Sequence, residues 1–457
     1  MPYALESPRP DAIPLIAVQA GGLAPVLDAL EAPAAAFARA AGFTAEPNTF
    51  CLLPDGNGGL AAVLAGVADA ADPFALAGLP LLLPVGTYRL HGTLGVPVDP
   101  ARAALGWGLG AYQFGRYRAP KRQAARLCVD EAVRAQATTL LHACWRVRDL
   151  VNTPTEHMGP AELAACALEL AEAHGARCRV IEGDDLLAEN FPAIHAVGRA
   201  SHRAPRLIEL DWGDESHPRI ALVGKGVCFD TGGLDLKPSD GMLRMKKDMG
   251  GAAHALALAE LVMAAKLPVR LKLLVPAVEN AVGPNAYRPG EIIATRKGLS
   301  VEIGNTDAEG RLILCDALAC AGEWQPELLL DFATLTGAAR IALGPDLPAL
   351  FCNDEALAAD LLAAGQAEHD PLWRMPLHAP YLAFLESPVA DLNNAASTRH
   401  AGCITAALYL SRFVPEGQRW AHVDVYAWND APRPGRPAGG EAQGLRAFFS
   451  MLARRYR

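Results

Sequence analysis

The sequence predicts an α/β protein in which a smaller N-terminal α/β domain (1–126) and a linking helix (127–150) precede a larger C-terminal α/β domain (151–457) with a mainly parallel central sheet. Three observations carry this. The 457 residues exceed one ordinary domain. Runs such as R-I-A-L-V-G at Arg219–Gly224 and L-L-L-D-F at 328–332 lack the alternation of a strand with one wet face, as expected for strands covered on both sides. Stretches of helical length separate these runs, which is the pattern of parallel strands joined by crossover helices.

From residue 14 to about 126, short apolar runs at 16–18 and 79–85 alternate with alanine-rich helical stretches, with glycine and proline at the turns. Gly106, Gly108, Gly110 and Gly115 resemble a loose glycine loop, but no following acidic partner supports dinucleotide binding. Residues 130–150 have few helix breakers, and Val133, Leu140, Leu141, Cys144 and Val147 recur at helical spacing, so one long helix is expected. It ends near Pro154, which biases Thr153 away from helical geometry. A helix at Pro160–His174 follows, then strands at 178–181, 206–211 and Arg219–Gly224. A helix at 248–266, a strand at 269–275, a helix at 309–324 and a strand at 328–332 come next, and the Pro/Gly-rich segment 432–440 reads as a loop. Sites in such sheets form beyond the carboxyl ends of the strands, and Lys225 and Asp230 follow directly after Arg219–Gly224.

Composition excludes some function classes. With 41 basic against 50 acidic residues the net charge is −9, which argues against a general affinity for nucleic acid or anionic lipid. Ten cysteines without a C-x-x-C pair read as reduced core thiols. No basic segment followed by an apolar run opens the chain, and the apolar stretch 252–265 is interrupted by His254 and Glu260 and too short to span a bilayer. A cytoplasmic protein without nucleic-acid or membrane partners is the expectation.

The chemistry concentrates at 304–312, G-N-T-D-A-E-G-R-L. Asp307 and Glu309 stand two apart, so on an extended backbone they point the same way and could share one cation or bridge two. Residues 222–251 add Asp230 and Asp248 with Lys225 and Lys237. Taken singly, Asp307 reads as a turn or cap residue, Glu309 as a first-turn acid and Asp248 as an N-cap. Together, four carboxylates converging in a core would repel strongly, and two divalent cations carrying +4 would balance their −4. Oxygen-rich ligation suits manganese or magnesium and leaves zinc open.

N-T-D-A-E-G-R-L, together with K-G-x-x-F-D-T-G-G-x-x-x-K-P and M-x-x-D-M, resembles the leucyl aminopeptidase family, the dinuclear cytosol aminopeptidases, with weaker agreement from about Val147 to the C-terminus. The resemblance implies zinc or manganese at two sites, one held by Lys225, Asp230, Asp248 and Glu309, the other by Asp230, Asp307 and Glu309. It implies peptide substrates with a free N-terminus, an N-terminal domain used in assembly, and a homohexamer. Lys237 is placed to stabilise an oxyanion, which requires the cation, whereas Lys225 can ligate only as a neutral amine. Arg311 could simply pair with a neighbouring carboxylate, but the family implies that it holds a bicarbonate acting as general base. Thr334, Leu335 and Gly337 match a segment whose backbone contacts substrate, and Met245 matches a wall of the pocket for the N-terminal side chain. Tyr426 stands where the family carries a small alanine in that pocket, so a preference for leucine is not implied. Two rival readings are a two-metal phosphoesterase on the same acids and a non-catalytic assembly or nucleic-acid-binding member with a vestigial site. The first lacks a phosphate-cradling glycine loop joined to a Lys-Ser/Thr pair, and the intact motifs speak against the second.

Overall fold

The structure is a computed structural model describing residues 2–457. The chain divides into two compact units, Met1–Trp145 with Asn429–Ala438, and Arg146–Trp428 with Gly439–Arg457. The division falls inside one helix, Glu131–Asn152, that the sequence predicts as continuous.

The smaller unit holds a six-stranded sheet of β1 (Leu5–Glu6), β2 (Ile13–Val18), β3 (Phe50–Pro54), β4 (Leu60–Gly66), β5 (Thr87–Leu90) and β6 (Arg126–Cys128), in the order β1-β6-β5-β2-β4-β3. Only the β3–β4 pair is antiparallel, as a hairpin allows. Ile16, Val18, Leu53 and Leu64 bury their apolar faces in one cluster. The glycines at 106, 108 and 110 are no loop: they lie in the helix Pro100–Gly110. A Cβ at Gly106 or Gly110 would run into the carbonyl oxygens of Pro73 or Ala77, so close backbone approach rather than phosphate binding accounts for them.

The larger unit contains, in chain order, β7 (Arg177–Glu182), β8 (Arg206–Trp212), β9 (Arg219–Gly224), β10 (Gly226–Asp230), β11 (Arg270–Asn280), β12 (Ile292–Ala294), β13 (Ser300–Glu302), β14 (Leu328–Ala333), β15 (Ala349–Cys352), β16 (Trp373–Arg374), β17 (Leu392–Asn393) and β18 (Trp420–Asp424). The main sheet runs β16-β15-β18-β14-β9-β11-β8-β7, with β10 added beside β11, while β12, β13 and β17 form a small separate sheet. The central strands β18, β14, β9 and β11 are mutually parallel. The pairs β15–β18, β8–β11 and β7–β8 are antiparallel, so the sheet is mixed towards its edges. All six residues of β14 are buried, which explains its largely apolar run; its one acid, Asp331, accepts from Trp420 Nε1 at 2.6 Å and pairs with His422 Nδ1 at 2.6 Å.

The helix Gly250–Ala264 is buried from Gly250 to Met263, so it carries no polar stripe. Its two polar residues are satisfied locally. His254 shares a hydrogen bond from Nδ1 with Gly250 O, and its Nε2 accepts from Gln443 N at 2.9 Å. Glu260 takes a bidentate ion pair from Arg146 at 2.7 and 3.0 Å. The helix start lies hard against the sheet, because a Cβ at Gly251 would strike Phe332 O and one at Gly224 would come 2.7 Å from Ala252 Cα. That contact sets Asp248, just ahead of the helix, at the ends of β9 and β14.

Asp316, on the helix Glu309–Glu323, is fully buried and accepts from Arg296 N (2.8 Å), Ala193 N (2.8 Å) and Ile194 N (3.3 Å). It therefore caps the helix Pro192–Gly198, whose first turn offers no capping side chain of its own. Asp316→Ala is expected to lower stability by about 3 kcal/mol, since buried donors left unpaired cost ~1–3 kcal/mol each. A lower denaturant midpoint at unchanged slope checks this.

Candidate active site

β9 ends at Gly224, Lys225 follows, and β10 resumes to deliver Asp230 at its last position, beside Asn280 at the end of β11. Asp230 Oδ1 accepts from Asn280 Nδ2 and from Gly232 N, each at 2.8 Å, which fixes the carboxylate. Gly232 has φ +86, and a Cβ there would press on Asp235 O at 2.5 Å and Asp307 Oδ1 at 3.2 Å, so this turn needs glycine twice over. Asp307 precedes the helix Glu309–Glu323, and Glu309 opens it. Asn394 clamps the turn: its Oδ1 accepts from Gly304 N at 2.8 Å and its Nδ2 donates to Asn305 O at 2.8 Å. Asp235 Oδ2 accepts from Thr306 N at 2.7 Å, and Tyr287 donates to Thr306 O at 2.6 Å.

Asp230, Asp307 and Glu309 each bring a carboxylate oxygen within 4.8 Å of the others. Asp248 joins them through Lys225, whose Nζ lies 2.7 Å from Asp248 Oδ2 and 2.9 Å from Glu309 Oε1 and donates to Thr334 O at 2.8 Å. A Cβ at Gly310 would sit 2.6 Å from Lys225 Cε, so the glycine of D-A-E-G-R is the room through which this lysine reaches the acids. Thr334 Oγ1 stands 2.9 Å from Asp248 Oδ1. On the other side, Lys237 Nζ pairs with Asp230 Oδ2 at 2.8 Å and with Asp307.

Burial would lower both lysines, but the carboxylates around them overcome it and hold both protonated above the ordinary range. Burial and the charge of Asp230 push Glu309 up to about 8 and Asp307 up to about 6. For Asp248 burial works upward, yet Lys225 and Lys247 bring it below its usual value. Burial pulls Lys247, next to Asp248, down to about 8.

One pocket of about 310 Å³ is lined by Lys225, Asp230, Lys237, Met245, Asp248, Asp307, Glu309, Thr334, Leu335 and Gly337. Every residue that the sequence singled out for the site lines it except Arg311. Arg311 Nη1 donates to Asn394 O at 2.7 Å, its guanidinium lies over the Tyr409 ring, and its buried Nε has no acceptor. Among the described residues it forms no ion pair with a carboxylate. Burial pulls its pKa below the usual value. The supports Asn280, Asp235 and Asn394 and the pocket residues Lys247, Arg340 and Asp424 escaped the sequence reading. Asn280 had a signal, a polar residue closing an apolar strand.

The family model for the cytosol aminopeptidase family, catalytic domain, matches residues 145–449, and that for the M17 aminopeptidase, N-terminal domain, matches residues 13–130. A probable cytosol aminopeptidase of Syntrophotalea carbinolica is 41% identical over 379 residues, 78% of this chain and 76% of its own length. The crystal structure of a cytosol aminopeptidase from Coxiella burnetii covers 100% of both chains with a TM-score of 0.97 at 49% identity. The bottromycin maturation enzyme BotP in complex with Mn has a TM-score of 0.87 at 34% identity, covering 97% of this chain and 99% of its own.

Proposed function

Because the chain belongs to the cytosol aminopeptidase family and is an enzyme that hydrolyses the N-terminal residue from peptides, we propose that the carboxylate pocket is its catalytic centre. The observation that carries this is the convergence of Asp230, Asp248, Asp307 and Glu309 with Lys225 and Lys237 in one pocket. Four carboxylates facing two ammonium groups leave two formal negative charges, with Asp248 Oδ2 held by Lys225 at 2.7 Å and Asp307 Oδ1 by Lys237. That donor set fits two divalent cations, zinc or manganese. Lys225, Asp230, Asp248 and Glu309 would hold one, and Asp230, Asp307 and Glu309 the other. When bound, the ions would supply Lewis acidity and lower the pKa of water.

The chain's own groups then divide the work. Lys237 remains a cation and faces the carbonyl oxygen of the scissile peptide as negative charge develops there. Lys225 must give up its proton to act as a ligand. Thr334 O is already taken by Lys225, and Leu335 N donates to Asp424 Oδ1 at 3.0 Å, so the carbonyl of Leu335 and the backbone of Gly337 are left to align the peptide. Met245 borders the space for the N-terminal side chain. Arg311, whose buried Nε has no acceptor among the described residues, would hold a small anion such as bicarbonate, which would supply a general base when bound. By likeness to its family the enzyme is a cytoplasmic homohexamer assembled through the smaller unit, which sedimentation would check. Among the described residues no helix is long and apolar enough to cross a membrane.

Incubation of one peptide in free and N-acetylated forms, followed by mass spectrometry, tests the reading. The free peptide is expected to lose residues stepwise from its N-terminus and the acetylated one to persist, because acetylation removes the amine lone pair. Internal cleavage, or equal hydrolysis of both forms, overturns it. Arg311→Ala is expected to keep both ions and slow turnover, and added bicarbonate to help the native enzyme more than the variant. Equal stimulation of the two removes Arg311 from the proton transfer.

A further inference from the structure

Beyond the carboxylates, the same pocket carries a second wall of opposite charge, formed by Lys247, Arg340 and Tyr426. We propose that this wall receives the side-chain carboxylate of an N-terminal glutamate or aspartate, so that the enzyme prefers peptides with an acidic first residue. The proposal rests on the aminopeptidase reading above and specifies its substrate class.

Lys247 closes the short turn Met245–Lys247 and is only 7% exposed. Its Nζ lies 5.0 Å from the centroid of the Tyr426 ring. Among the described residues it makes no side-chain hydrogen bond or ion pair, unlike Lys225 and Lys237, which line the same pocket. An ammonium has three N–H donors, and burying them without an acceptor is costly. The ring face attracts a cation but leaves those donors unused.

Arg340, exposed on the helix Gly337–Leu343, lays its guanidinium over the same ring at 4.7 Å. It has no carboxylate partner among the described residues. Tyr426 is itself held, since Arg244 Nη1 donates to its hydroxyl at 3.0 Å. Two cations therefore converge on one fixed ring. The two acids that face Lys247 are committed elsewhere: Asp248 is held by Lys225 at 2.7 Å and by Thr334 Oγ1 at 2.9 Å, and Asp424 accepts from Leu335 N at 3.0 Å, Thr336 N at 3.2 Å and Thr336 Oγ1 at 2.6 Å.

A leucine side chain entering here would cover Lys247 and give its ammonium nothing to bond. A glutamate would supply the missing acceptors in charge-assisted hydrogen bonds, with Arg340 as a second cation at the rim.

The test uses the metal-loaded protein in two arms. Calorimetry measures binding of free L-glutamate, L-glutamine and L-leucine, and kinetics measure kcat/KM on the Glu, Gln and Leu p-nitroanilides. Glutamate is expected to be bound and cleaved at least about thirty-fold better than glutamine, the range for a desolvated charge pair. Lys247→Met, of similar shape, is expected to bring that ratio down to the roughly three- to five-fold left by Arg340 and to raise activity on leucine. Arg340→Met, at an exposed position that folding tolerates, is expected to cut the ratio by roughly three- to five-fold in a salt-dependent way. Equal binding of glutamate and glutamine by the native protein, or an unchanged ratio in Lys247→Met, overturns the proposal. Failure to cleave any of the anilides would count against the aminopeptidase reading instead, and the calorimetric arm would still decide what the pocket binds.

Discussion

Lys225→Arg is expected to lose metal from its site, whereas Lys237→Arg keeps both ions and retains reduced, measurable turnover. The two lysines are alike in the free state and each pairs with two carboxylates in the fold, so position alone does not separate them. Their assigned chemistry does. A ligand must offer a lone pair, and guanidinium stays protonated and cannot readily provide one. The space is also closed, because Gly310 is the gap that admits the Lys225 side chain. An oxyanion partner needs only positive charge and N–H donors, both of which arginine supplies. Lys237→Ala, which removes the donor outright, is expected to cost on the order of 10² or more in kcat with both ions in place. Metal content and kcat on the three variants decide the assignment. It fails if Lys225→Arg remains fully metallated, or if Lys237→Arg is the variant that loses an ion.

Asp248→Asn is expected to lose one ion per chain, and Asp230→Asn to lose high-affinity binding of both. Asp248 touches only the Lys225 side of the cluster, through an ion pair at 2.7 Å, while Asp230 lies in the three-carboxylate group and pairs with Lys237 as well. A neutral amide cannot offset a divalent charge, so each loss follows the number of ions the carboxylate serves. Elemental analysis after dialysis reads the difference. Two ions per chain in Asp248→Asn, with normal peptidase activity, would remove Asp248 from the ligand set.

The carboxylates were legible because they sit in two contiguous motifs, where the spacing of Asp307 and Glu309 and the polar D-T-G-G after an apolar run already demand an explanation. The central strands were legible for a related reason, since burial on both faces writes itself into β9 as consecutive apolar residues and into β14 as an apolar run broken only by the buried Asp331. Strand direction leaves no such mark. The antiparallel edge pairs β7–β8 and β8–β11 and the extra strand β10 emerge only from pairing. The glycines at 106–110 offered no dinucleotide site in sequence, and their actual role was illegible there because a glycine that lets two backbones touch looks the same as one in a loop. Asn394 escaped because its partners at 304 and 305 lie about ninety positions away, and an asparagine in a loop carries no periodic signal. The setting of Lys247 was hidden for the same reason: it is defined by the Tyr426 ring and by Arg340 over that ring, both distant in sequence.

Hydrolysis of N-terminal residues is expected to depend on two cations held by this carboxylate cluster. The most direct test is to strip the protein with a chelator and titrate Mn²⁺ or Zn²⁺ back while following bound metal per chain and release of the first residue from a free peptide. Activity is expected to vanish on stripping and to return as occupancy approaches two ions per chain. Full activity in the stripped protein, or a maximum reached with one ion per chain and no further binding, would contradict it.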